Sequence, residues 1–381
     1  MISFEKAAET VHFAATCLFG LEGLLGEELN SLGFRRTETI DGRLYFDAPI
    51  DAIPVLNISL RFAERVYLEV GRFPADSFSE LFDNVNDLLW EDYIGSCDCF
   101  PVKGHSIKSR LTSIPDCQKI IKKSVVNRLS EKYGLNPLPE TGVKKQIEFF
   151  IFKDTASLMI DTSGVPLHKR GYRTESNEAP LRETLAAAIV KLARPRENVL
   201  FVDPMCGSGT IPIEAALMMT DTAPGIGRNF VSEEYGWIEQ SVWSDAREYC
   251  RLKSHDTGFR AVASDISPKS VSVSLRNIDR AGMNKYIECR TADALTLSTG
   301  GIRGTVVCNP PYGERLSDVR TAVELYGKMG RTFLALDNWQ IYILTNDEDF
   351  ERHFGRKADK TRKLYNGMIP CRLFEYFKKR V

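Results

Sequence analysis

The chain has 381 residues, which is longer than a single hydrophobic core usually grows, so two or three domains are expected. It is 43% hydrophobic and 27% charged and has no run of about 18 apolar residues, so no membrane span is predicted. Its net charge of -1 argues against a generic nucleic-acid coat protein.

The first residues and the cysteines indicate the compartment. The opening stretch contains acidic residues and lacks a basic segment followed by an apolar core, so no secretory signal is expected and the cytoplasm is predicted. Nine cysteines are scattered, and only Cys97 and Cys99 lie close together, without the paired CxxC spacing of a structural zinc site. We therefore expect free thiols and no metal.

Charge is distributed unevenly along the chain. Residues 1–102 hold 7 Lys and Arg against 18 Asp and Glu, whereas residues 103–173 hold 14 against 6. A basic segment is either a solvated helix face or a phosphate-contacting surface, and the two interpretations are equally open on charge alone. The candidate RNA contacts are Lys108, Arg110, Lys122, Lys123, Lys169 and Arg170.

The first part of the chain has the pattern of a small α+β module. Leucines at helical spacing after Thr16 predict an amphipathic helix that ends at Gly33, with short strands on either side of it. A further strand is predicted at 65–73 and a helix at 78–90.

A second α+β unit follows. A strand is predicted at 105–113, a helix with a basic exposed face at 114–134, and two strands within 146–164 around a turn at Lys153 and Asp154. The polar, glycine-containing stretch 167–173 predicts a domain junction near residue 166. Beyond it, strands, glycine turns and helices alternate, which indicates a mostly parallel sheet covered by helices on both faces.

The stretch VLFVDPMCGSGT, residues 199–210, combines an apolar strand, Asp203 and a turn with Gly207 and Gly209. In a doubly wound fold such a turn lies where a nucleotide-like ligand binds, because glycine lets the backbone approach closely. The spacing is neither that of a dinucleotide fingerprint nor that of a P-loop. A tight strand-to-helix turn without a ligand is the alternative.

Two further acids follow strands. Asp265 ends an apolar strand, where a carboxylate can accept hydrogen bonds from both ribose hydroxyls, but Ser264, Asp265 and Ser267 are equally placed to cap the next helix. Asp293 follows another short strand and can accept from an adenine amino group or be an ordinary loop aspartate.

The most specific motif is Asn309, Pro310, Pro311 and Tyr312, directly after the apolar strand 305–308. Two prolines fix the backbone and remove amide donors, so the Asn309 side-chain oxygen and the Pro310 carbonyl can serve as acceptors for an amino group. Tyr312 offers a stacking surface for the base that carries this group. The motif therefore predicts a site for the exocyclic amino group of a base, with Asn309, Pro310 and Tyr312 as the catalytic candidates.

DPMCGSGT with NPPYGERL resembles the amino-group branch of Rossmann-fold methyltransferases. LHKRGYR, APLRETLAAA, ASDISP and KLYNGMIPCRLFEYF are similar to bacterial 23S ribosomal RNA guanine-N2 methyltransferases, and the basic α+β unit resembles a THUMP RNA-binding domain. Members of this family are often labelled N6-adenine-specific DNA methylases. The resemblance implies an α/β class I Rossmann-like methyltransferase domain at 167–381, preceded by a ferredoxin-like subdomain at 1–60 and a THUMP domain at 61–166.

The resemblance also implies the site residues and partners. S-adenosyl-L-methionine would be the cofactor, bound by Asp203, Met205, Gly207, Gly209, Asp265 and Asp293, with Arg173, Leu181 and Glu183 as weaker candidates. An insertion containing Trp237 and Trp243 would help admit RNA or simply cover the core. The partner would be large-subunit ribosomal RNA or a pre-ribosomal particle. Longer members carry a second methyltransferase domain, so one modification is expected here.

Two other functions remain open from the sequence. A DNA adenine-N6 methyltransferase would use the same amino-group motif. A non-catalytic RNA-binding or ribosome-assembly factor would keep the fold without turnover, although the intact Asp203, Asp265 and NPPY motif oppose it.

Overall fold

A computed structural model describes residues 10–173, 181–298, 300–312 and 316–377, and these residues form two seven-stranded sheets. The strands are β1 (Thr10–Cys17), β2 (Arg36–Ile40), β3 (Arg43–Pro49), β4 (Ala63–Pro74), β5 (Val102–Ile107), β6 (Ile147–Phe152), β7 (Thr155–Asp161), β8 (Leu200–Asp203), β9 (Ala261–Asp265), β10 (Ile287–Thr291), β11 (Gly304–Cys308), β12 (Trp339–Thr345), β13 (Lys360–Asn366) and β14 (Ile369–Tyr376). The helices are α1 (Glu22–Ser31), α2 (Ile53–Ser59), α3 (Phe78–Asp87), α4 (Ile114–Tyr133), α5 (Glu183–Ala193), α6 (Thr210–Met219), α7 (Gln240–Lys253), α8 (Pro268–Arg280), α9 (Leu316–Phe333) and α10 (Phe350–Phe354).

The first sheet has the order β2-β3-β1-β4-β7-β6-β5 and runs through both N-terminal α+β units. β4 pairs antiparallel with β1 on one side and with β7 on the other, so it joins the two units. Leu25 and Leu29 of α1 pack with Phe13 and Phe46. Apolar residues of α3 and α4 pack in a second cluster against β6 and β7. The helices thus bury one face of a continuous sheet.

Local signals determine where these elements begin and end. The predicted helix at 114–134 is confirmed as α4: Ser113 is its N-cap, Pro115 lies in its first turn, and Gly134 ends it in the left-handed conformation. The strand predicted at 105–113 was placed too late, since β5 spans Val102–Ile107. Lys108 has a φ of 52°, which a strand does not accommodate, and so β5 ends before it.

The second sheet has the order β10-β9-β8-β11-β12-β14-β13. Its first five strands are parallel, and β14 and β13 add an antiparallel edge. Apolar residues of α5 and α6 pack on one face, and those of α9 and α10 pack on the other. The predicted α/β class with a mostly parallel sheet and helices on both faces is therefore confirmed.

The insertion between Asp203 and Asp265 packs against the first sheet. Trp237 Nε1 donates to the carbonyl of Tyr93 at 3.0 Å, and the Tyr235 hydroxyl donates to that of Asp161 at 2.7 Å. Trp243 is buried and stacks on Phe230. The insertion thus packs on the N-terminal units through hydrogen bonds to the backbone of Tyr93 and Asp161. Within the described ranges, no helix has both the length and the apolar character that crossing a bilayer requires.

Candidate active site

The loop after β8 lies where the sequence predicts a nucleotide-like ligand. β8 ends at Asp203, which is 1% exposed, and Oδ1 of this residue accepts a hydrogen bond from the backbone N–H of Met205 at 3.2 Å. Gly207 and Gly209 have φ angles of 55° and 81°. Residues with a Cβ rarely adopt this conformation, so glycine lets the chain turn here. The turn presents its backbone at the carboxyl edge of the sheet.

Two polar side chains of α8 donate hydrogen bonds to backbone carbonyls of this turn. Ser274 Oγ donates to the carbonyl of Gly207 and Asn277 Nδ2 to that of Ser208, both at 2.9 Å. A Cβ on Gly209 would lie 3.1 Å from Ser274 Oγ, so helix and turn are in close contact. The sequence reasoning missed Ser274 and Asn277. Their signal was available, because two polar residues three positions apart lie among the buried residues of an amphipathic helix.

Asp265 connects the glycine turn to the start of α8. Its Oδ2 accepts from the N–H of Gly207 at 3.0 Å, and its Oδ1 accepts from the N–H of Ser267 at 2.9 Å. The N-cap of α8 is Ser267, whose hydroxyl accepts from the N–H of Ser270 at 3.3 Å. Among the three candidates for this cap, the structure therefore selects Ser267, and Asp265 is half-buried beside the turn.

The carboxyl of Asp203 has an unusual environment. Burial raises its pKa well above the ordinary range of an aspartate, and the nearby Asp265 carboxylate raises it further, against one backbone hydrogen bond that lowers it. A ligand that brought a hydrogen-bond donor to this carboxyl would favour its charged form. Asp203 and Asp265 thus lie at the same turn, but Asp203 is buried whereas Asp265 is half-buried.

Asp293 lies beyond β10, the strand that pairs with β9. It is exposed, and its Oδ1 accepts from the N–H of Leu295 at 2.9 Å, which caps a short 3-10 turn. The predicted contact with adenine stays a prediction.

The NPPY motif lies beside the glycine turn, because β11 runs parallel to β8 with Val306 opposite Val202. Asn309 is half-buried and Pro310 is buried. The hydroxyl of Tyr312 donates a hydrogen bond to Oδ1 of Asn309. The acceptors predicted for an amino group are therefore adjacent to the turn predicted for the cofactor.

A tyrosine on α9 is hydrogen-bonded to the backbone of the NPPY motif. The hydroxyl of Tyr326 donates to the carbonyl of Pro311 at 2.9 Å and lies 3.1 Å from Thr345 Oγ1 on β12. Sequence reasoning missed Tyr326, and no local pattern identifies it, because only the packing of α9 on the sheet brings it to the motif. It is a positioning residue for the Pro310–Pro311 backbone.

The stretch before α5 reaches the same turn from another side. Arg173 donates to Thr210 Oγ1 at 3.2 Å and to Glu183 Oε2 at 2.9 Å. It also donates to the carbonyl of Leu181 at 2.7 Å. The structure therefore brings the three weaker candidates together next to the first residue of α6.

The predicted RNA contacts fall into two groups. Lys108, Lys123 and Lys169 are exposed. Arg110 is exposed but pairs with Asp76 at 2.6 Å, and Lys122 is half-buried and pairs with Glu140 at 2.6 Å. A phosphate that bound Arg110 or Lys122 would have to compete with the carboxylate already paired with that residue.

The prediction that Arg170 contacts RNA is wrong for this conformation. Its side chain is 2% exposed and lies 3.5 Å from Glu214, whose other contact is the hydroxyl of Tyr172 at 3.0 Å. It also donates to the carbonyls of Leu167 and Arg61. These buried partners use its donors, so Arg170 joins the two halves of the molecule and does not face solvent.

Three family models match the chain. The RMKL-like methyltransferase domain matches residues 170–375, the THUMP domain residues 75–161, and the RlmL ferredoxin-like domain residues 12–67. In the described part of the chain, no three His, Cys, Asp or Glu side chains come together as a metal-binding group.

Curated relatives agree with these models. YpsC of Bacillus subtilis, whose name proposes an RNA methyltransferase activity, is 40% identical over 96% of this chain and 95% of its own. The ribosomal RNA large subunit methyltransferase K/L of Syntrophotalea carbinolica is 31% identical over 96% of this chain and 53% of its own. The chain thus spans about half the length of the K/L relatives.

Solved structures show the same architecture. A solved structure from Listeria monocytogenes, described as that of a predicted N6-adenine-specific DNA methylase, is 42% identical to this chain. Its TM-score is 0.91, and the match covers 97% of both chains. SMU.472, solved in complex with SAH, is 40% identical with a TM-score of 0.91 and covers 98% of this chain and 99% of its own. The chain therefore belongs to the RMKL-like methyltransferase family, with a ferredoxin-like domain and a THUMP domain ahead of the methyltransferase domain.

Proposed function

We propose that this enzyme transfers a methyl group from S-adenosylmethionine to the N2 amino group of a guanine in large-subunit ribosomal RNA. The observation that carries the proposal is the position of the Asn309 and Pro310 acceptors directly beside the glycine turn after β8. The names of the K/L relatives and the presence of a THUMP domain support RNA as the substrate.

The chain's residues fit S-adenosylmethionine at this turn. The positive φ angles of Gly207 and Gly209 keep the backbone open to a ligand, and Asp265 presents a carboxylate suited to ribose hydroxyls. We assign Asp203 and Met205 to the same site and Asp293 to the adenine. When bound, the cofactor supplies an electrophilic methyl group.

The NPPY residues would prepare the nitrogen that receives the methyl group. An exocyclic amino nitrogen is a weak nucleophile because its lone pair is delocalised into the ring. Hydrogen bonds from its two protons to Asn309 Oδ1 and the Pro310 carbonyl would localise that lone pair and orient it. The base would have to leave its stack, and the Tyr312 ring would compensate for the lost stacking. The methylated nitrogen would then release one proton to solvent, so the proposed step relies on positioning and electrostatics and uses no nucleophilic side chain.

The N-terminal units would hold the RNA. We infer a ferredoxin-like unit to about residue 60, a THUMP unit to about residue 166 and the methyltransferase domain beyond. Among the predicted RNA contacts, Lys108, Lys123 and Lys169 are exposed, which supports phosphate contact in the basic segment. Relatives named for ribosomal RNA support the cytoplasm as the site of action.

Incubation with methyl-labelled S-adenosylmethionine and unmodified large-subunit ribosomal RNA, followed by nucleoside analysis, tests the proposal. Label in N2-methylguanosine is the expected result. Label in N6-methyladenosine, or activity on duplex DNA, would favour the adenine-N6 alternative that the shared motif allows. A chain that binds RNA but no cofactor would be a non-catalytic assembly factor.

A further inference from the structure

A large groove lies between α1 and the methyltransferase sheet, at the edge opposite the glycine turn. It has a volume of about 1180 Å³ and is lined by the start of β11, by β13 and by the segment after α5. Small-molecule sites usually measure about 300–1,000 Å³. The groove is open and larger than that range, which favours a macromolecular occupant.

The groove is strongly basic. Seven of its lining residues are Lys or Arg and two are Glu: Lys191, Arg194, Arg196, Arg303, Lys360, Arg362, Lys363, Glu27 and Glu375. All seven cations are exposed. Among the described residues, the ion pairs of this set are limited to Arg362 with Glu375 at 3.1 Å. The chain as a whole has a net charge of -1, so this concentration of positive charge is local.

Helix electrostatics does not account for the whole set. Lys191, Arg194 and Arg196 lie at or after the C-terminus of α5, where cations offset the helix dipole. Arg303 precedes a strand, however, and Lys360 and Lys363 lie on β13, away from any helix end. Elements distant in sequence thus bring their cations to one groove.

Arg194 occupies a position at which glycine or asparagine is usual. It is the C-cap of α5 with a φ of 50°, in the left-handed conformation that side chains with a Cβ disfavour. Glycine can therefore replace Arg194 without backbone strain, which makes this cation a suitable one to remove.

Two aromatic rings, those of Phe19 and Tyr365, border the groove. Phe19 is 52% exposed and meets Tyr365 edge to face at 5.9 Å, and Lys363 Nζ lies 5.4 Å from the Tyr365 ring. Basic grooves with adjacent aromatic rings suit single-stranded nucleic acid, whose phosphates meet the cations while its bases stack on the rings.

We propose that this groove binds the phosphate backbone of an RNA segment that flanks the modified nucleotide, an inference that rests on the proposed function. Arg303 precedes β11 and Asn309 follows it, and five strand residues at about 3.3 Å each separate the two edges by about 16 Å. One nucleotide cannot reach both, but a folded ribosomal RNA can. The groove is therefore a second anchor for a long substrate.

The test compares two variants with equal loss of charge. Arg194→Gly/Arg303→Gln/Lys363→Gln removes three groove cations, and the glycine also relieves the left-handed conformation. The control, Lys253→Gln/Lys328→Gln/Arg331→Gln, removes three exposed cations that do not line the groove. The melting temperature and the affinity for S-adenosylmethionine verify that each variant is folded.

The probe is an unmodified large-subunit ribosomal RNA transcript, with affinity measured from about 0.05 to 0.3 M salt. For the groove variant we expect an RNA dissociation constant raised at least about tenfold and a salt slope reduced by about 2 to 3, since each phosphate contact contributes about 0.7 to 0.9. The KM for RNA should rise in parallel. The control variant should behave as wild type.

Two outcomes would overturn the groove as an RNA site, and a third would separate it from the proposed function. Equal weakening of both variants would show that net charge alone matters and would overturn the groove. No weakening of either would overturn it as well and would favour another partner, such as an acidic protein. Groove-dependent binding without N2-methylguanosine formation would support the groove while refuting the proposed function.

Discussion

The hydroxyl of Tyr312 donates a hydrogen bond to Oδ1 of Asn309, the acceptor assigned here to the target amino group. In this conformation the side chain proposed to stack on the base therefore occupies the position that the base's amino group would take. On the proposed function, an amino group that binds Asn309 would share this oxygen with the Tyr312 hydroxyl or displace it.

This relationship predicts that the Tyr312 ring, rather than its hydroxyl, matters for substrate binding. Tyr312→Phe removes the competing donor and keeps the stacking surface, so we expect kcat/KM for RNA within about threefold of wild type. Tyr312→Ala also removes the ring, which costs about 1–3 kcal/mol of stacking, or about fivefold to 160-fold in kcat/KM. Steady-state kinetics measures both. Equal losses in the two variants would show that the hydroxyl is essential.

Asn309→Ala should separate turnover from cofactor binding. The side chain accepts from the amino group only in the reacting complex, so we expect kcat to fall at least about a hundredfold, as for loss of one preorganised hydrogen-bonding partner. The affinity for S-adenosylmethionine, measured by calorimetry, should stay within about twofold.

Asp265→Ala is the matched control for that experiment. It removes the carboxylate that holds the N–H of Gly207, so it should weaken cofactor binding at least about tenfold. Equal loss of turnover and cofactor affinity in Asn309→Ala would contradict the assignment of Asn309 to the target base.

The buried Asp203 carboxyl predicts a pH dependence of stability without ligand. Its pKa is raised in the folded protein by burial, whereas an unfolded aspartate has a pKa of about 3.9. The folded state therefore holds the proton more tightly, and the free energy of unfolding falls as pH rises from about 4 through the raised pKa. Asp203→Asn should flatten the melting temperature across this interval and weaken cofactor binding.

An exposed aspartate serves as the comparison for Asp203. Asp337→Asn removes one carboxyl from an exposed position and gives the reference profile of melting temperature against pH. A profile for Asp203→Asn parallel to that of wild type would mean that this carboxyl does not titrate with folding.

Arg170→Met should destabilise the protein rather than act on RNA alone. The change leaves Glu214 buried with one hydrogen bond, from Tyr172, and an Oε2 atom that already has no partner among the described residues. Removing one member of a buried ion pair costs about 3–5 kcal/mol of unfolding free energy. Urea denaturation measures it, and Lys169→Gln, one residue away and exposed, should change stability by less than about 0.5 kcal/mol.

The candidate site was predictable where chemistry and local backbone coincide. Gly207, Gly209 and the two prolines are read from the sequence because each restricts or frees the backbone in a way that few other residues do. Ser274 and Asn277 left a weaker signal as polar residues of an amphipathic helix. Tyr326 left none, since its contact with Pro311 depends on how α9 packs across the sheet.

The sequence predicted only in part which cations are accessible to a ligand. The basic segment at 103–173 is visible in composition, but Arg110 and Lys122 are paired with carboxylates and Arg170 is buried. The basic groove was invisible, because its cations come from the segments after α5, before β11 and along β13. Composition gives the number of charged residues. Whether a cation can bind phosphate depends on the residues that the fold places next to it.

The sequence by itself determined the alternation of strands and helices, the glycine turn, the acids that end the strands and the NPPY motif, because these depend on residue type and on neighbours along the chain. Only the tertiary structure decided that one sheet runs through both N-terminal units and that Arg170 is internal. It also decided that seven cations share a groove. Such relationships join residues far apart in the chain, and long-range packing brings them together.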